Sequence, residues 1–448
     1  MRPDGCVRSC GARRGNDSAG SRSVTRRVAP DRVSPQRAAK RKGPVMAVMD
    51  AAAPKAVRGL PGATVLHVLP ALAEAPAARA AVDTAVALLR SGARVIVAAE
   101  DGPLNSELQG LGGEWIRLVT ETANPLALSR NARTLANLVS TERVDLVHAV
   151  GVGASRSAAA LKKRAGVWLV HSYDATDLKR GYRDKSYSRA LAAGDRVIVP
   201  SEYVADQVAA RHQVPRDKLA VISRRIDGAR FDPPAISPER AMVLRRGWKI
   251  ARGQRVILMP GRIDPAKGQL TLVEAARILT NGGLRGVVFV LAGDNRQHFD
   301  YAKKIAAQAE AHGVAHLIRQ IGVCPDMAGA YLATDFVAIP QIEPPAFPLA
   351  AAEAMAMARP VIASNVGALP EIVLAPPNVL ESARTGWLAA PDDPVSLARA
   401  IADALSVEAS AYGAICTRAR RLANQFFTPA RTAAAALSLY ASLFEGRG

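Results

Sequence analysis

RVILMPGRIDPAKGQ, residues 255–269, is an apolar run that ends in a glycine, two cations and a second glycine. Val256, Ile257, Leu258 and Met259 are consecutive rather than alternating, as in a strand buried on both faces of a parallel sheet. The residues after them therefore occupy the turn from a buried strand into a helix. There Gly261 lets the backbone approach a ligand closely, while Arg262 offers a planar fork and Lys267 a point charge, both suited to phosphate oxygens. A helix N-terminus near Gly268 adds favourable potential for an anion.

The same alternation extends in both directions. Upstream, TVLHVLP (64–70), RVIVAAE (94–100), EWIRLV (114–119), VDLVHAV (144–150), VWLVHS (167–172) and DRVIVP (195–200) are apolar runs separated by helical periodicity. Downstream come GVVFVLAGD (286–294), HLIRQIG (316–322), DFVAIP (335–340), RPVIAS (359–364) and GWLAAP (386–391). The rhythm breaks between Arg224 and Gly253, where DGARFDPP has turn and linker chemistry. The fold class expected is thus α/β, with two Rossmann-like lobes of parallel sheet facing a cleft. Ligands of such sheets bind outside the carboxyl ends of the strands, so the functional loops are those after Pro260, Ala292, Gly322 and Pro340. The boundaries expected are a basic tail at 1–58, a first lobe at 59–228, a second at 229–428, and a helix at 429–448 returning to the first lobe.

The 448 residues exceed one ordinary domain, and a composition of 49% hydrophobic with 4% aromatic residues calls for a core of Ala, Val, Leu and Ile. The formal charge of +20 is unevenly spread. Half of it sits in residues 1–58, which hold fourteen Lys or Arg against Asp4, Asp17, Asp31 and Asp50 and almost no large apolar side chains. Such a segment is expected to be disordered, either as a binding arm or as an extension ahead of a start at Met46 or Met49. Basic residues without interleaved aromatics or a reading module argue against nucleic acid as a partner. A moderately basic body suits an anionic diphosphate and peripheral contact with anionic membrane. Cys6, Cys10, Cys324 and Cys416 are too scattered for a disulfide framework or a metal cluster. The absence of an apolar run of spanning length, and of a signal core behind the basic N-terminus, makes the expected location cytoplasmic or peripheral to the inner face of the plasma membrane.

GRIDPAKGQ, LAGDN, IGVCPDMAGAYLATDFVAIPQIEPPAF, AAEAMAMARPVIAS and GALPEIV follow one another in an order and spacing that resemble the C-terminal lobe of family 4 (group 1) GT-B glycosyltransferases. The stretch LKRGYRDKSYSRALAAGDRVIVPSEYVADQV (178–208), followed by VPRDKLAVISRRIDGARFDP, resembles that family's interlobe approach and hinge strand. The resemblance covers roughly residues 64–445. It implies an acceptor lobe followed by a donor lobe, and a retaining, metal-independent transfer from a nucleotide-sugar to an envelope polysaccharide, lipopolysaccharide or lipid-linked acceptor. No resident cofactor is expected. In this reading Arg262 and Lys267 hold the donor diphosphate and offset charge growing on the leaving nucleotide. Glu353 accepts the ribose hydroxyls, and Gly261, Val323, Phe347 and Leu349 complete the donor site. His171, at the end of the fifth run, is the candidate for touching the donor sugar, with His148 as a weaker one.

Three positions depart from the family pattern. Pro345 stands where the first of two glutamates separated by seven intervening residues is usual, and Pro348 where a glycine usually follows the phenylalanine. Neither can supply the lost contact, since Pro345 has no carboxylate and Pro348 no N–H. The turn PALAEAPAARAAVD (70–83) has no glycine where the family has a glycine-rich loop. These departures leave a second reading open: a catalytically impaired homologue that binds nucleotide or a partner protein.

Overall fold

The computed structural model describes residues 60–445 apart from 123, 165 and 174–183. The arm expected at 1–58 and the LKRGYR part of the interlobe approach (178–183) lie outside the described residues.

Two parallel sheets organise the chain. The first contains β1 (Thr64–Ala71), β2 (Arg94–Glu100), β3 (Glu114–Arg117), β4 (Leu146–Val150), β5 (Trp168–Ser172), β6 (Arg196–Val199) and β7 (Leu219–Val221) in the order β3-β2-β1-β4-β5-β6-β7. The second contains β8 (Arg255–Pro260), β9 (Val287–Ala292), β10 (Ile318–Gly322), β11 (Phe336–Ile339), β12 (Val361–Ser364) and β13 (Gly386–Ala389) in the order β10-β9-β8-β11-β12-β13. Each of the twelve apolar runs is a strand or contains one. In each sheet the chain winds outward to one edge and then restarts on the other side of its first strand. The points where the order reverses, β1/β4 and β8/β11, are where crevices open at strand carboxyl ends.

The helices that bear on the site are α1 (Pro76–Arg90), α2 (Val152–Ala158), α3 (Glu202–His212), α4 (Gln269–Asn281), α5 (Leu349–Ala356), α6 (Leu369–Ile372), α7 (Ala409–Phe426) and α8 (Pro429–Glu445). In α1, Pro76 occupies the first turn, and Ala78, Ala81, Val82, Ala85 and Leu88 recur at helical spacing to face the sheet. Alternate residues of each strand then serve different layers. Leu146, Val150 and Val170 pack toward α1, while Val147, Ala149 and Leu169 pack toward Ala154 and Ala158 of α2.

The chain passes between lobes twice. After β7 it runs through residues 222–232, and Ile226 and Phe231 are already part of the second lobe's core. It returns at Phe427, whose carbonyl accepts from Ile226 N at 2.7 Å, so the two crossings are joined to each other. Beyond that crossing α8 lies on the first lobe, with Leu437, Tyr440 and Leu443 in one core with α1.

Candidate active site in the interlobe crevice

The loop after β8 is folded tightly against its neighbours. Gly261 N donates to Ala292 O (2.9 Å) and Ile263 N to Asp294 O (2.9 Å), tying the turn to the loop after β9. A Cβ at Gly293 would overlap the Gly261 carbonyl, and one at Gly268 the Pro340 carbonyl. Gly261 and Gly268 also have φ of 128° and 81°, which L side chains rarely adopt. These contacts bring the loops after β8 and β11 together at the sheet's reversal point, where Lys267 Nζ donates to Gln341 Oε1 at 3.2 Å. Arg262 is exposed, and its backbone is anchored by the buried Gln269, whose Nε2 donates to Arg262 O at 2.9 Å.

Glu353 projects from α5, the helix that follows the β11 loop. It shares a crevice with Leu349, with Arg224, Arg225 and Arg230 of the crossing segment, and with Glu74 beyond β1. Tyr331 Oη donates to Glu353 Oε2 at 3.0 Å. Burial pushes the Glu353 carboxyl up to about 7, against the lowering effect of the Tyr331 hydrogen bond and the Arg230 charge. On the first-lobe side, Arg225 Nε and Asp83 Oδ2 form an ion pair at 2.6 Å that ties the crossing segment to α1. The crevice therefore sets Glu353, a hydroxyl acceptor, among further carboxylates at Glu74, Asp83, Glu107 and Asp227 and the cations Arg79, Arg224, Arg225 and Arg230, a mixture that can meet both a sugar hydroxyl and an anionic group on one ligand.

The remaining expected positions are dispersed. Phe347 is half-buried and meets Phe427 edge-on with 5.6 Å between ring centroids, so it lines the crossing. Val323 is exposed beyond β10. His171 requires a correction: its ring is fully buried beneath α2, with Nδ1 3.0 Å from Ser155 Oγ and Gly194 against its edge. Strand parity is the reason, since residue 171 points to the sheet face opposite the one that Val170 and Ser172 serve. A ring enclosed there does not reach a donor sugar. His148 is buried on the other face, where its Nε2 lies 2.8 Å from Ser172 Oγ.

The two prolines fit the backbone around them. Pro345 lies against Gly367, where even a Cβ would be crowded by the proline ring, and its carbonyl accepts from Ala368 N at 3.0 Å. Pro348 is the residue before α5 rather than its first residue, and its carbonyl accepts from Ala351 N at 2.9 Å. In the glycine-free turn after β1, Leu72 is fully buried. Gly102 from the β2 loop supplies the close approach, for a Cβ there would overlap the Leu72 carbonyl.

Sequence reasoning missed Glu371. Its Oε1 accepts from Tyr203 N (2.6 Å) and its Oε2 from Glu202 N (3.0 Å), so a carboxylate of the second lobe caps α3 of the first. Beside it Ser201 Oγ donates to Ala346 O at 2.8 Å. Glu371 lay within the GALPEIV motif, but nothing local indicated a partner in the other lobe. The crossing arginines carry no local signal either, because their stretch has turn and linker chemistry.

Among the described residues no group of three or more His, Cys, Asp or Glu is gathered as a metal-ligand set, and no helix is long and apolar enough to cross a membrane.

Comparison with known proteins agrees with this geometry. Residues 77–230 match the family described as Glycosyltransferase Family 4, and residues 254–406 match Glycosyl transferases group 1; the two together cover more than half of the chain. Among curated relatives, a D-inositol 3-phosphate glycosyltransferase of Actinosynnema mirum is 31% identical over 194 residues, covering 41% of this chain and 44% of that protein. One from Salinispora tropica is 28% identical over 286 residues, covering 59% and 57%. The chain thus spans about half the length of these relatives. Among solved structures, a glycosyltransferase of Rickettsia africae superposes with a TM-score of 0.70 at 23% identity, covering 86% of this chain and 98% of that one. Anabaena HepE in complex with UDP and glucose superposes with a TM-score of 0.65 at 20% identity, covering 86% and 100%. These likenesses show a shared fold.

Proposed function

The chain belongs to the family 4, group 1 glycosyltransferases of GT-B fold, and from that premise we propose that it transfers a sugar, with retention, from a nucleoside diphosphate donor held in the interlobe crevice. The acceptor we propose is an envelope glycan or a lipid-linked molecule, reached by a protein in peripheral contact with anionic membrane. In the reaction the bond from the sugar's anomeric carbon to the diphosphate breaks and a bond to an acceptor oxygen forms. The acceptor's proton is released and the nucleoside diphosphate leaves with added negative charge. Arg262 and Lys267 offset that charge as it develops, which lowers the barrier electrostatically. Glu353 accepts the ribose hydroxyls, with Leu349 in the same crevice.

One observation carries this reading: the β8 and β11 loops are joined through Gly268, Pro340, Lys267 and Gln341 at the sheet's reversal point, with Glu353 on the next helix lining the crevice. The Anabaena protein's complex with UDP and glucose lends the donor class further support. The test is turnover of a panel of UDP-, GDP- and ADP-sugars by the purified chain and by Arg262→Ala and Lys267→Ala. Hydrolysis or transfer that both variants reduce at least tenfold is expected. A chain that consumes none of the panel defeats the proposal.

Pro345 favours a second reading, of a homologue that binds nucleotide with little turnover. It puts a ring, not a carboxylate, beside Gly367. Binding of UDP or GDP without turnover, with activity appearing in a Pro345→Glu, Pro348→Gly double variant, is the outcome that reading requires.

A further inference from the structure

A cavity in the first lobe, outside the crevice, has the chemistry of a hydrocarbon site. It lies between α1, α8 and the carboxyl ends of β4 to β7. Ala77, Ala80, Ala81 and Thr84 come from one face of α1, at the spacing that aligns side chains along a helix, and α8 faces them with Thr432 and Ala436. Close-packed interiors fill such a gap with larger side chains; small residues on both helices instead keep it open. The sheet side is apolar too, with Val150, Ile198 and Ile222.

Several polar side chains of the lining already have partners. His148 Nε2 lies 2.8 Å from Ser172 Oγ and its Nδ1 2.8 Å from Tyr440 Oη. Thr84 Oγ1 donates to Ala80 O, and Thr432 Oγ1 to Ser223 O. Burial holds the His148 ring in its neutral form. The inner wall therefore carries no charge and rewards a ligand chiefly for apolar surface. The outer end differs, because Arg224 lines both this cavity and the interlobe crevice. A molecule with its chain inside has its other end at the crevice.

We propose that this cavity is a subsite for an uncharged aliphatic chain carried by the acceptor, the hydrocarbon part adjoining the hydroxyl that receives the sugar. The inference rests on the transferase reading for the word acceptor, but the chain-binding site itself stands on its own lining. The hydrocarbon enters the space between the two helices, and the polar part emerges past Arg224 toward the donor.

The test uses straight-chain alkanols from butanol to octanol, measured by calorimetry on the full chain without nucleotide. Affinity is expected to rise about threefold to fourfold per added CH2 until the cavity is filled. Ala80→Leu and Ala436→Leu, which place a larger side chain in the space, are expected to flatten that dependence while keeping the wild-type melting temperature. Crystals of the unaltered chain soaked with a bromoalkanol give a readout that does not depend on how the variants fold, with bromine density between α1 and α8 expected. A wild-type affinity indifferent to chain length, or density elsewhere or nowhere, overturns the site. Alkanol binding combined with equal transfer to short- and long-chain acceptors overturns the acceptor role alone. Failure of donor turnover leaves the alkanol result standing, so the two readings fail separately.

Discussion

Both carboxylate oxygens of Glu371, in the second lobe, accept backbone hydrogen bonds at the start of the first-lobe helix α3, the shorter from Tyr203 N at 2.6 Å. A carboxylate at a helix N-terminus is favoured by the helix dipole and by the unpaired N–H groups of the first turn. Burial opposes it and raises the Glu371 carboxyl to about 7, with the Tyr203 hydrogen bond pulling the other way. The contact thus fixes the relative position of the lobes through a group that protonates near neutrality.

Glu371→Ala leaves two partly buried N–H groups without their acceptor, at a cost of about 1–3 kcal/mol. The expected outcome is a lower melting temperature and, in solution scattering, a larger radius of gyration as the lobes separate. Glu371→Gln keeps one acceptor oxygen and is expected to fall between alanine and wild type. An alanine variant with unchanged scattering and melting would show that the contact holds nothing.

Donor binding should depend on pH through Glu353. Its carboxyl is raised to about 7, so below that pH it is largely neutral, has lost acceptor capacity and binds ribose hydroxyls less well. Donor affinity is therefore expected to strengthen as pH rises from 6 to 8, by up to the tenfold of one lost hydrogen bond to a charged group. Glu353→Gln should bind weakly and without that rise. A calorimetric pH series on both proteins decides it, and a wild-type profile as flat as the variant's would exclude Glu353 from the nucleotide site.

The strands were legible because a parallel strand buried on both faces must be apolar throughout, a need the central runs meet, while the edge strands β3 and β10 are only partly covered and carry Glu114, Arg117, Arg319 and Gln320. The turn from β8 to α4 was legible for a similar reason: glycine and cations after a buried strand have few structural uses. What escaped depended on residues distant in the chain. Glu371 acquires its partners 168 residues away, and Arg230 reaches Glu353 only once the crossing segment has folded against α5. His171 was misplaced because one residue of strand parity decides which face a ring serves. The alanines of α1 and α8 suggested only good helix formers, while the space they leave between them exists only when the two helices meet.

Gly268→Ala introduces a Cβ that overlaps the Pro340 carbonyl at a position with φ of 81°. The conformational part alone costs about 1–2 kcal/mol, and the overlap forces the β8 and β11 loops apart. Nucleotide affinity is expected to fall at least tenfold, because Lys267 moves with the loop. Gly283→Ala, a control with a similarly positive φ but open space around the Cβ, should lose stability without losing affinity. Equal nucleotide binding by the two variants would remove the β8–β11 junction from the site.

Four buried histidines make the first lobe acid-sensitive, among them His212, which burial and the neighbouring Arg211 charge hold below its ordinary value. Burial lowers His67 and His171 to about 4 and holds His148 well below its ordinary value of 6.5. A histidine neutral in the folded chain takes up its proton only on unfolding, so the unfolded state binds more protons between pH 6.5 and 4. Stability is therefore full above 6.5 and is lost as pH falls through that window, at up to about 1.4 kcal/mol per pH unit for each ring that stays neutral. His67 and His148 stand edge to face at 5.1 Å between centroids, so charging one disfavours charging the other and strengthens the effect. Calorimetry from pH 7.5 to 4.5 should show a steep decline in melting temperature. His171→Asn, which cannot take up a proton in either state, should decline less steeply than wild type even if it starts lower. Parallel declines in the two proteins would mean that His171 does not carry its share of the acid sensitivity.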